Sequence, residues 1–562
     1  MTEKQPIISW HIWIRFVVVI RAFASSEVGG KALALSAALV ALMFGVNGFN
    51  VLNSYVGRDF MTAIAERNEP AFVMKAMLYV GVFAASTVVN VLHRYAEDKL
   101  GLLFREWLTK RLTNAYLDNR AYYRLKAGGE VENPDERIAD DARTCTITTL
   151  SIVLMVLNAA VTVIAFSGVV WAISPSLLLI AMAYALLGSL FAVKLGRPLV
   201  GLNSKQFDKD ADFRASLIHI RENAELIALT RREGRLRAKL LHRIEALADN
   251  MRRIFVVHRN LGFFTTGFFN LMQVIPVLVV APLFFRGEVE FGVVTQSVMA
   301  FGSLVGAFSL IVFQFQPFSS FTAVLSRLNQ LWDAMEQSQQ PEASKVEVAE
   351  SDEVIAYEHL TLHSPEDGRL LLRDLCISIP YGTRLLISGP NEAAKLALFK
   401  ATADLDGHGE GKIIRPSLDR IRFLSQRAYL YPGTLRELLL RSGEEYRVSD
   451  EKIRGALEEL GLGPVLARAG GLDVEQDWAS ILSLGEEQLL AFTRLLLAKP
   501  RFAFLDRVYT ALSAEHAAQI LLMLGMHSIS YIALDEAKNL PELYDAVLEI
   551  GLDGSWRVEW NA

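Results

Sequence analysis

Two long stretches without charge decide what this chain can become. Neither Ala32 to Gly57 nor Thr144 to Val193 contains an Asp, Glu, Lys or Arg. A helix needs about 20 apolar residues to cross a bilayer, so the first stretch makes one span. The second is long enough for two, and Ser174-Pro175 breaks it near its middle, where proline starts a new helix more readily than it continues an old one. Further spans are expected at Ala76 to Leu92, at Leu261 to Phe285, and from near Phe291 to before Arg327, which makes six in all. Hydrophobic residues form 52% of the 562-residue chain and charged residues 21%. That balance is too apolar for a wholly water-soluble protein and requires a membrane part joined to a soluble part.

Basic residues crowd Lys99 to Arg143 and Lys194 to Arg259, whereas the connections at Arg58 to Lys75, Ser174-Pro175 and Arg286 to Glu290 are short. The positive-inside rule then puts the long segments and both termini in the cytosol. Residues 1–30 read as an interfacial helix with Trp10, Trp13 and Phe16 as anchors. They lack the apolar core and small-residue cleavage site of a signal peptide. Residues 31–328 form the six-helix part. Residues 329–353 are expected to be a linker, rich in Gln, Ser, Glu and Ala from Glu336 onward. Residues 354–562 form the soluble domain. Cys145 and Cys376 lie far apart in segments read as cytosolic, so no disulfide framework is expected. The net charge of −5 gives no reason to invoke nucleic acid.

From Val354 the pattern changes. Short apolar runs such as Val354 to Tyr357, Leu370 to Leu375, Arg384 to Ile387 and Phe502 to Leu505 alternate with helical ones, which predicts an α/β domain with a largely parallel sheet. Between one such run and a helical segment lies Ser388-Gly389-Pro390-Asn391-Glu392-Ala393-Ala394-Lys395-Leu396. This is the position of a phosphate-binding loop. Gly389 and Lys395 fit the pattern G-x-x-x-x-G-K-[ST], while Ala394 and Leu396 do not.

Three more segments carry a family resemblance. Gln426 in Phe423-Leu424-Ser425-Gln426 resembles the Q-loop of ABC ATPases. Leu482-Ser483-Leu484-Gly485-Glu486-Glu487-Gln488 resembles their signature, and Phe502 to Asp506 resembles a Walker B strand. With six spans and two long cytosolic extensions, the chain resembles an exporter-type ABC half-transporter: an α-helical membrane domain of six transmembrane helices plus an α/β P-loop nucleotide-binding domain. Phe104 to Thr109, Asn119 to Tyr123, Glu132 to Ala139 and Ile220 to Glu225 resemble the bacterial branch related to peroxisomal acyl-CoA half-transporters. That branch includes bacteroid-development and peptide-uptake proteins.

The resemblance implies an inner-membrane dimer that uses ATP and Mg2+ to move peptides, acyl compounds or other amphipathic molecules. It places a coupling helix at Asn133-Pro134, at the tip of the first extension. It implies nucleotide contacts at Gly389, Asn391, Lys395, Leu396, Gln426 and Asp506, with Asp506 and Gln426 toward the metal. It also implies head-to-tail pairing, in which Ser483, Gly485 and Glu486 face a nucleotide held by the partner half-transporter.

The same resemblance exposes departures. Glu392 and Ala394 stand where the family has glycines. A Cβ at Ala394 disfavours positive φ. A carboxylate at Glu392 lies beside the phosphate position, and two unit charges 4 Å apart at a partly screened site repel by about 4 kcal/mol. Only turning to solvent or pairing with Lys395 would relieve that. Leu396 has no oxygen to hold Mg2+. Arg507 replaces the Glu that orients the attacking water and cannot accept a proton. Glu536 stands where a switch His would contact the γ-phosphate, and Thr510-Ala511-Leu512-Ser513 lacks the Asp of the D-loop. Loss of hydrolysis at this chain's own site is expected. A homodimer would have two damaged sites, whereas a heterodimer with a conventional partner would keep one nearly complete site.

Simpler readings stand beside these. Lys395 can be an ordinary helix lysine, Asp506 a strand-end cap, Gln426 a polar loop residue and Ser483 an N-cap. A second function class is an ATP-independent, proton-driven permease, or a receptor, with a vestigial nucleotide domain. Proton coupling generally needs ionisable groups within the membrane, and the apolar spans contain none. Asn47, Asn50, Asn53, Asn90, Asn158, Asn270, Gln273, Gln296, Gln314 and Gln316 are candidates for substrate contact, or for helix packing.

Overall fold

The computed structural model describes residues 18–128, 131, 133–339, 345–365, 367–405, 408–426, 428–507, 511–535 and 541–561. The chain divides into two compact units, Met1–Gln340 and Pro341–Ala562.

The long helices of the first unit are α1 (Gly29–Ala65), α2 (Glu69–Leu117), α3 (Ala142–Ile173), α4 (Pro175–Glu222), α5 (Glu233–Phe285), α6 (Phe291–Phe308) and α7 (Leu310–Gln339). Among the described residues six helices are long and apolar enough to cross a membrane. Helices suit this role because they satisfy their own backbone hydrogen bonds. The expected break between α3 and α4 is present: Ser174 is extended and Pro175 opens α4. Asn68 starts α2 by accepting a hydrogen bond from the Ala71 N–H. At 49 residues α2 is about 70 Å long, well over the bilayer core of about 30 Å, so it extends far past the membrane. Helices α4 and α5, of 48 and 53 residues, do the same.

The sixth span differs from the expectation of a single run. Helix α6 stops at Phe308, Ser309 interrupts, and α7 continues to Gln339. The linker is correspondingly shorter than 329–353, because α7 fills its first part and the strand Lys345–Glu350 its last. Leu328, Leu331 and Met335 are buried in the core of the first unit, which keeps this stretch helical. Most of the proposed N-terminal interfacial helix, including Trp10, Trp13 and Phe16, lies outside the described residues. Phe23, at its end, packs on Phe104 and Trp107 of α2 with ring centroids 4.7 and 5.4 Å apart.

Several polar side chains in the spans serve packing. Asn47 donates to Asn158 Oδ1 at 2.8 Å and accepts from Thr162 at 2.8 Å, tying α1 to α3. The segment at Asn133-Pro134 begins with Asn133 in the left-handed region. Its Arg137 is buried and donates to the Arg327 carbonyl at 2.8 Å, while Asp141 pairs with Arg327. The segment is thus anchored on α7. Gly292 lies at a close approach of two helices. A Cβ there would lie 2.0 Å from the Arg58 carbonyl oxygen and 2.4 Å from Thr62 Oγ1. Since the first of these is backbone, α1 and α6 would have to separate. Gly292→Ala is expected to reduce the yield of folded, detergent-stable protein several-fold, measured by size-exclusion chromatography.

The second unit contains two sheets. Strands β1 (Lys345–Glu350), β2 (Val354–His363), β3 (Leu370–Pro380) and β5 (Gly409–Arg415) form one, in the order β1-β5-β2-β3. The other holds β4 (Leu385–Ser388), β6 (Ile421–Leu424), β7 (Phe502–Asp506), β8 (Ser530–Leu534), β9 (Ala546–Ile550) and β10 (Trp556–Trp560), in the order β10-β9-β4-β8-β7-β6. Pairing in this larger sheet is parallel except between β10 and β9. The parallel core was expected. The smaller sheet, antiparallel on both sides of β2, was not.

Candidate nucleotide site

The site lies where ligands gather in open α/β sheets, at the carboxyl ends of parallel strands. Strand β4 ends at Ser388 and its second neighbour β7 ends at Asp506, with β8 between them. Gly389 comes next after β4, at φ +116°, and a Cβ there would lie 2.3 Å from the Ile550 carbonyl oxygen. Only glycine fits, which explains why this loop residue matches the phosphate-loop pattern.

Beyond Pro390 the chain is less a loop than a helix. Helix α8 runs Glu392–Thr402 with Asn391 as its N-cap. Asn391 Oδ1 accepts the Ala394 N–H at 3.1 Å, and its amide donates to the carbonyls of Leu371 and Gly551 at 3.3 and 3.1 Å. The local sequence favours this. Ala is the best helix former and glycine among the worst, so Ala393 and Ala394 wind the segment into the first turn, and an acidic Glu392 suits a helix N-terminus. The Ala394 N–H, one of the groups a phosphate loop would offer, is already taken. Ala394, Leu398 and Phe399 are buried, and Phe399 stands edge-on to Phe504 of β7 at 5.5 Å, which fixes α8 against that strand.

The charges close on one another. The Glu392 carboxylate bridges Lys395 Nζ at 2.6 Å and an Arg507 guanidinium nitrogen at 2.8 Å. Asp506 lies 3.8 Å from Arg507. Two cations and two anions sum to zero where a nucleotide triphosphate needs positive charge. The Lys395 side chain is only 5% exposed and Glu392 55%, so a phosphate can reach the ammonium only by displacing the carboxylate. Burial alone would raise the Glu392 carboxyl, but Lys395 and then Arg507 outweigh it and hold it below the usual range. Of the two reliefs open to Glu392, pairing is the one adopted. Its second partner, Arg507, was missed by the sequence reading. The signal was an acid and a base appearing together at positions where the resembling family has glycine and glutamate.

Arg507 sits at φ +55°, with its N–H on the Leu534 carbonyl at 2.9 Å. Burial pushes the Asp506 carboxyl above the usual carboxylate range, and Arg507 and the Gln426 backbone N–H offset only part of this. A carboxyl whose folded pKa is raised contributes stability below its unfolded pKa and loses it as pH rises through the folded value. Asp506→Asn is therefore expected to raise the melting temperature at pH 7 and to flatten its decline with rising pH in a thermal melt series.

The residues present do not fit Mg2+ here. Leu396 offers no oxygen and is 45% exposed, and a guanidinium stands beside the Asp506 carboxylate. Gln426 is engaged through its backbone, whose carbonyl accepts from Gln488 at 3.3 Å. Glu536 and Thr510 lie outside the described residues.

The signature segment is well formed. Ser483 is the exposed N-cap of α9 (Leu484–Ala498). Its hydroxyl accepts the Glu486 N–H at 3.3 Å and donates to the Glu486 carboxylate at 3.0 Å, and that carboxylate also takes the Ser483 N–H at 2.9 Å. This is a reciprocal capping box. The Ser483 N–H and Arg468, which pairs with Glu486 at 2.7 Å, keep the Glu486 carboxyl below the usual range. The simpler N-cap reading of Ser483 is therefore satisfied. It is compatible with anion binding, since a capped helix N-terminus presents donors and positive dipole outward. Gly485 lies in the first turn of the same helix.

A six-span unit followed by an α/β unit with a phosphate-loop position, Q-loop, signature and Walker B strand in order defines an ABC half-transporter. The family model described as ABC transporter transmembrane region 2 matches residues 20–285. Over 98% of its length the chain is 33% identical to the ABC transporter D family member 2, chloroplastic, of Arabidopsis thaliana, covering 88% of that protein. It is 32% identical to an uncharacterized ABC transporter ATP-binding protein of Synechocystis, covering 92% of this chain and 80% of that one. It is 24% identical to an inner membrane ABC transporter ATP-binding protein of Escherichia coli, covering 90% and 91%. The chain belongs to the ABC transporter family, among the D-family and bacterial half-transporters, and is a multi-pass membrane transport protein.

Proposed function

We propose that this chain is the non-hydrolysing half of a heterodimeric ABC transporter. One observation carries the reading: Glu392 holds Lys395 and Arg507 in a closed clasp, at 2.6 and 2.8 Å, and the Asp506 carboxylate beside Arg507 completes the charge balance. This is the place where the family binds ATP and Mg2+. The chain instead contributes Ser483, Gly485 and Glu486 to an ATP held by the phosphate loop of a conventional partner. That partner's turnover drives both membrane units. The cargo is a peptide, an acyl compound or another amphipathic molecule. The protein resides in the inner membrane, as the name of the Escherichia coli relative says of that protein, with both termini in the cytosol. The basic extensions support this orientation. Co-purification from the native membrane tests the pairing. A second half-transporter with an intact phosphate loop and catalytic Glu is expected in equal amount. A homodimer that moves cargo under a proton gradient without ATP would overturn the reading in favour of a permease.

A further inference from the structure

Away from the nucleotide site, three side chains with metal-binding atoms meet on the β2–β3 pair. His359 Nδ1 lies 2.7 Å from Asp374 Oδ1 and 3.6 Å from Cys376 Sγ, and all three ligand atoms fall within 4.8 Å of one another. We propose that His359, Asp374 and Cys376 form an exposed three-ligand site for a borderline divalent transition cation, of which zinc is the type.

The strand register builds this cluster. Tyr357 pairs with Ile377 and Leu360 with Leu375, so Glu358 and His359 together oppose Cys376. Leu362 pairs with Leu372, so Arg373 and Asp374 together oppose Thr361. One β-bulge therefore lies directly opposite Cys376, and a second, on the strand that carries Cys376, lies just beyond Leu375. Each contains a residue in the left-handed region, His359 at φ +51° and Asp374 at φ +48°. Bulges re-aim side chains out of the ordinary alternation, and here they bring together groups that regular pairing would keep apart.

The hydrogen bonds separate a metal site from a catalytic relay. A Cys-His-Asp relay places the thiol and the carboxylate on opposite ring nitrogens. Here both face Nδ1. With the ring proton on Nε2, the nitrogen, sulfur and carboxylate oxygen direct lone pairs into one small region, an arrangement that a cation stabilises. Tetrahedral zinc, with bonds of about 2.3 Å to sulfur and 2.0–2.1 Å to nitrogen and oxygen, requires about 3.6 Å between nitrogen and sulfur and about 3.3 Å between nitrogen and oxygen. The first separation is already present. The second needs the carboxylate to retreat by about 0.6 Å, an easy adjustment for a side chain that is 63% exposed.

The backbone around the site is held in place. The His359 N–H donates to Cys376 Sγ at 3.3 Å, and the Asp374 N–H donates to Thr361 Oγ1 at 3.1 Å. Trp556 of β10 donates to the carbonyls of Arg373 and Asp374 at 3.1 and 3.2 Å. Such outer contacts fix ligand orientation. The mixed sulfur, nitrogen and oxygen set selects zinc-like ions over Mg2+ or Ca2+. Binding releases the thiol proton and holds the imidazole proton on Nε2. With the His359 side chain 80% exposed, water completes the coordination shell.

The test uses the full chain in detergent, reduced and without a polyhistidine tag, titrated with Co2+ alone. One ion per chain is expected to bind with a sulfur-to-cobalt charge-transfer band, which Zn2+ then bleaches. Cys376→Ser should abolish the band. His359→Ala and Asp374→Asn should each weaken binding at least about tenfold, and Cys145→Ser should leave it unchanged. All three ligand side chains are exposed, so variants at them should fold as the parent does without metal. Absence of the band at stoichiometric Co2+, or a band that survives Cys376→Ser, would overturn the proposal.

Discussion

Ser483→Ala in the assembled transporter is expected to lower ATP-driven transport about 100-fold, while Lys395→Met in the same chain changes it less than about twofold. Loss of one well-placed donor to a developing phosphoryl charge costs about 10²–10³ in turnover, and Ser483 is exposed at a capped helix start, where its hydroxyl turns from the Glu486 carboxylate to the phosphate when the partner's ATP arrives. Lys395 already has the Glu392 carboxylate at 2.6 Å, so its removal takes away an ion pair and no phosphate contact. Removing Ser483 also removes a helix cap, worth about 1 kcal/mol. Ser483→Gly separates the two effects, because Gly at an N-cap costs only about a few tenths of a kcal/mol but has no hydroxyl to offer a phosphate. It should restore stability and leave transport low. Transport into vesicles and a melting curve on each variant read both quantities.

The second large effect lies in the clasp. Glu392→Gln leaves a nearly buried ammonium and a guanidinium without their shared carboxylate. Breaking a fully buried pair costs about 3–5 kcal/mol. With Glu392 55% exposed, solvent screening reduces this to about 1–2 kcal/mol. The pH dependence follows from the lowered Glu392 pKa. Its stabilisation is present above the unfolded carboxyl pKa and is lost as pH falls through the lower, folded value. Wild type should therefore lose stability on acidification through that window, and Glu392→Gln should show a shallower loss from a lower starting point. The same substitution frees Lys395. Binding of a fluorescent ATP analogue to the chain alone is expected to tighten at least about tenfold, the Coulomb term of one close charge being worth more than that even when screened. Unchanged stability together with unchanged nucleotide binding would show that the clasp has no energetic role.

Much of the architecture was legible because it rests on coarse physics. Charge-free runs such as Ala32 to Gly57 have few alternatives to a membrane helix, and Ser174-Pro175 is a local break wherever it occurs. The soluble unit was legible through the order of Gly389, Gln426, Ser483 and Asp506. The remainder depended on contacts between distant positions. Nothing local joins Glu392 to Arg507; β7 beside β8 beside β4 brings them together. The early start of α8 was hidden because Asn391 reads as a loop residue until it is seen capping Ala394. The linker read from Gln, Ser and Glu composition was too long, because Leu328, Leu331 and Met335 are buried and hold α7 helical to Gln339. The His359, Asp374 and Cys376 cluster needs two bulges that no sequence period announces. Of the polar residues read as candidates for substrate contact or for helix packing, Asn47 and Asn158 are hydrogen-bonded to each other.

ATP hydrolysis by the purified chain, reconstituted alone in lipid vesicles with Mg2+, is the most direct measurement of whether the Glu392 clasp has replaced nucleotide chemistry. No turnover above the protein-free background is predicted, with no change on Lys395→Met. Turnover of about 1 per second or faster, within the ordinary enzyme range, that Lys395→Met abolishes would contradict it.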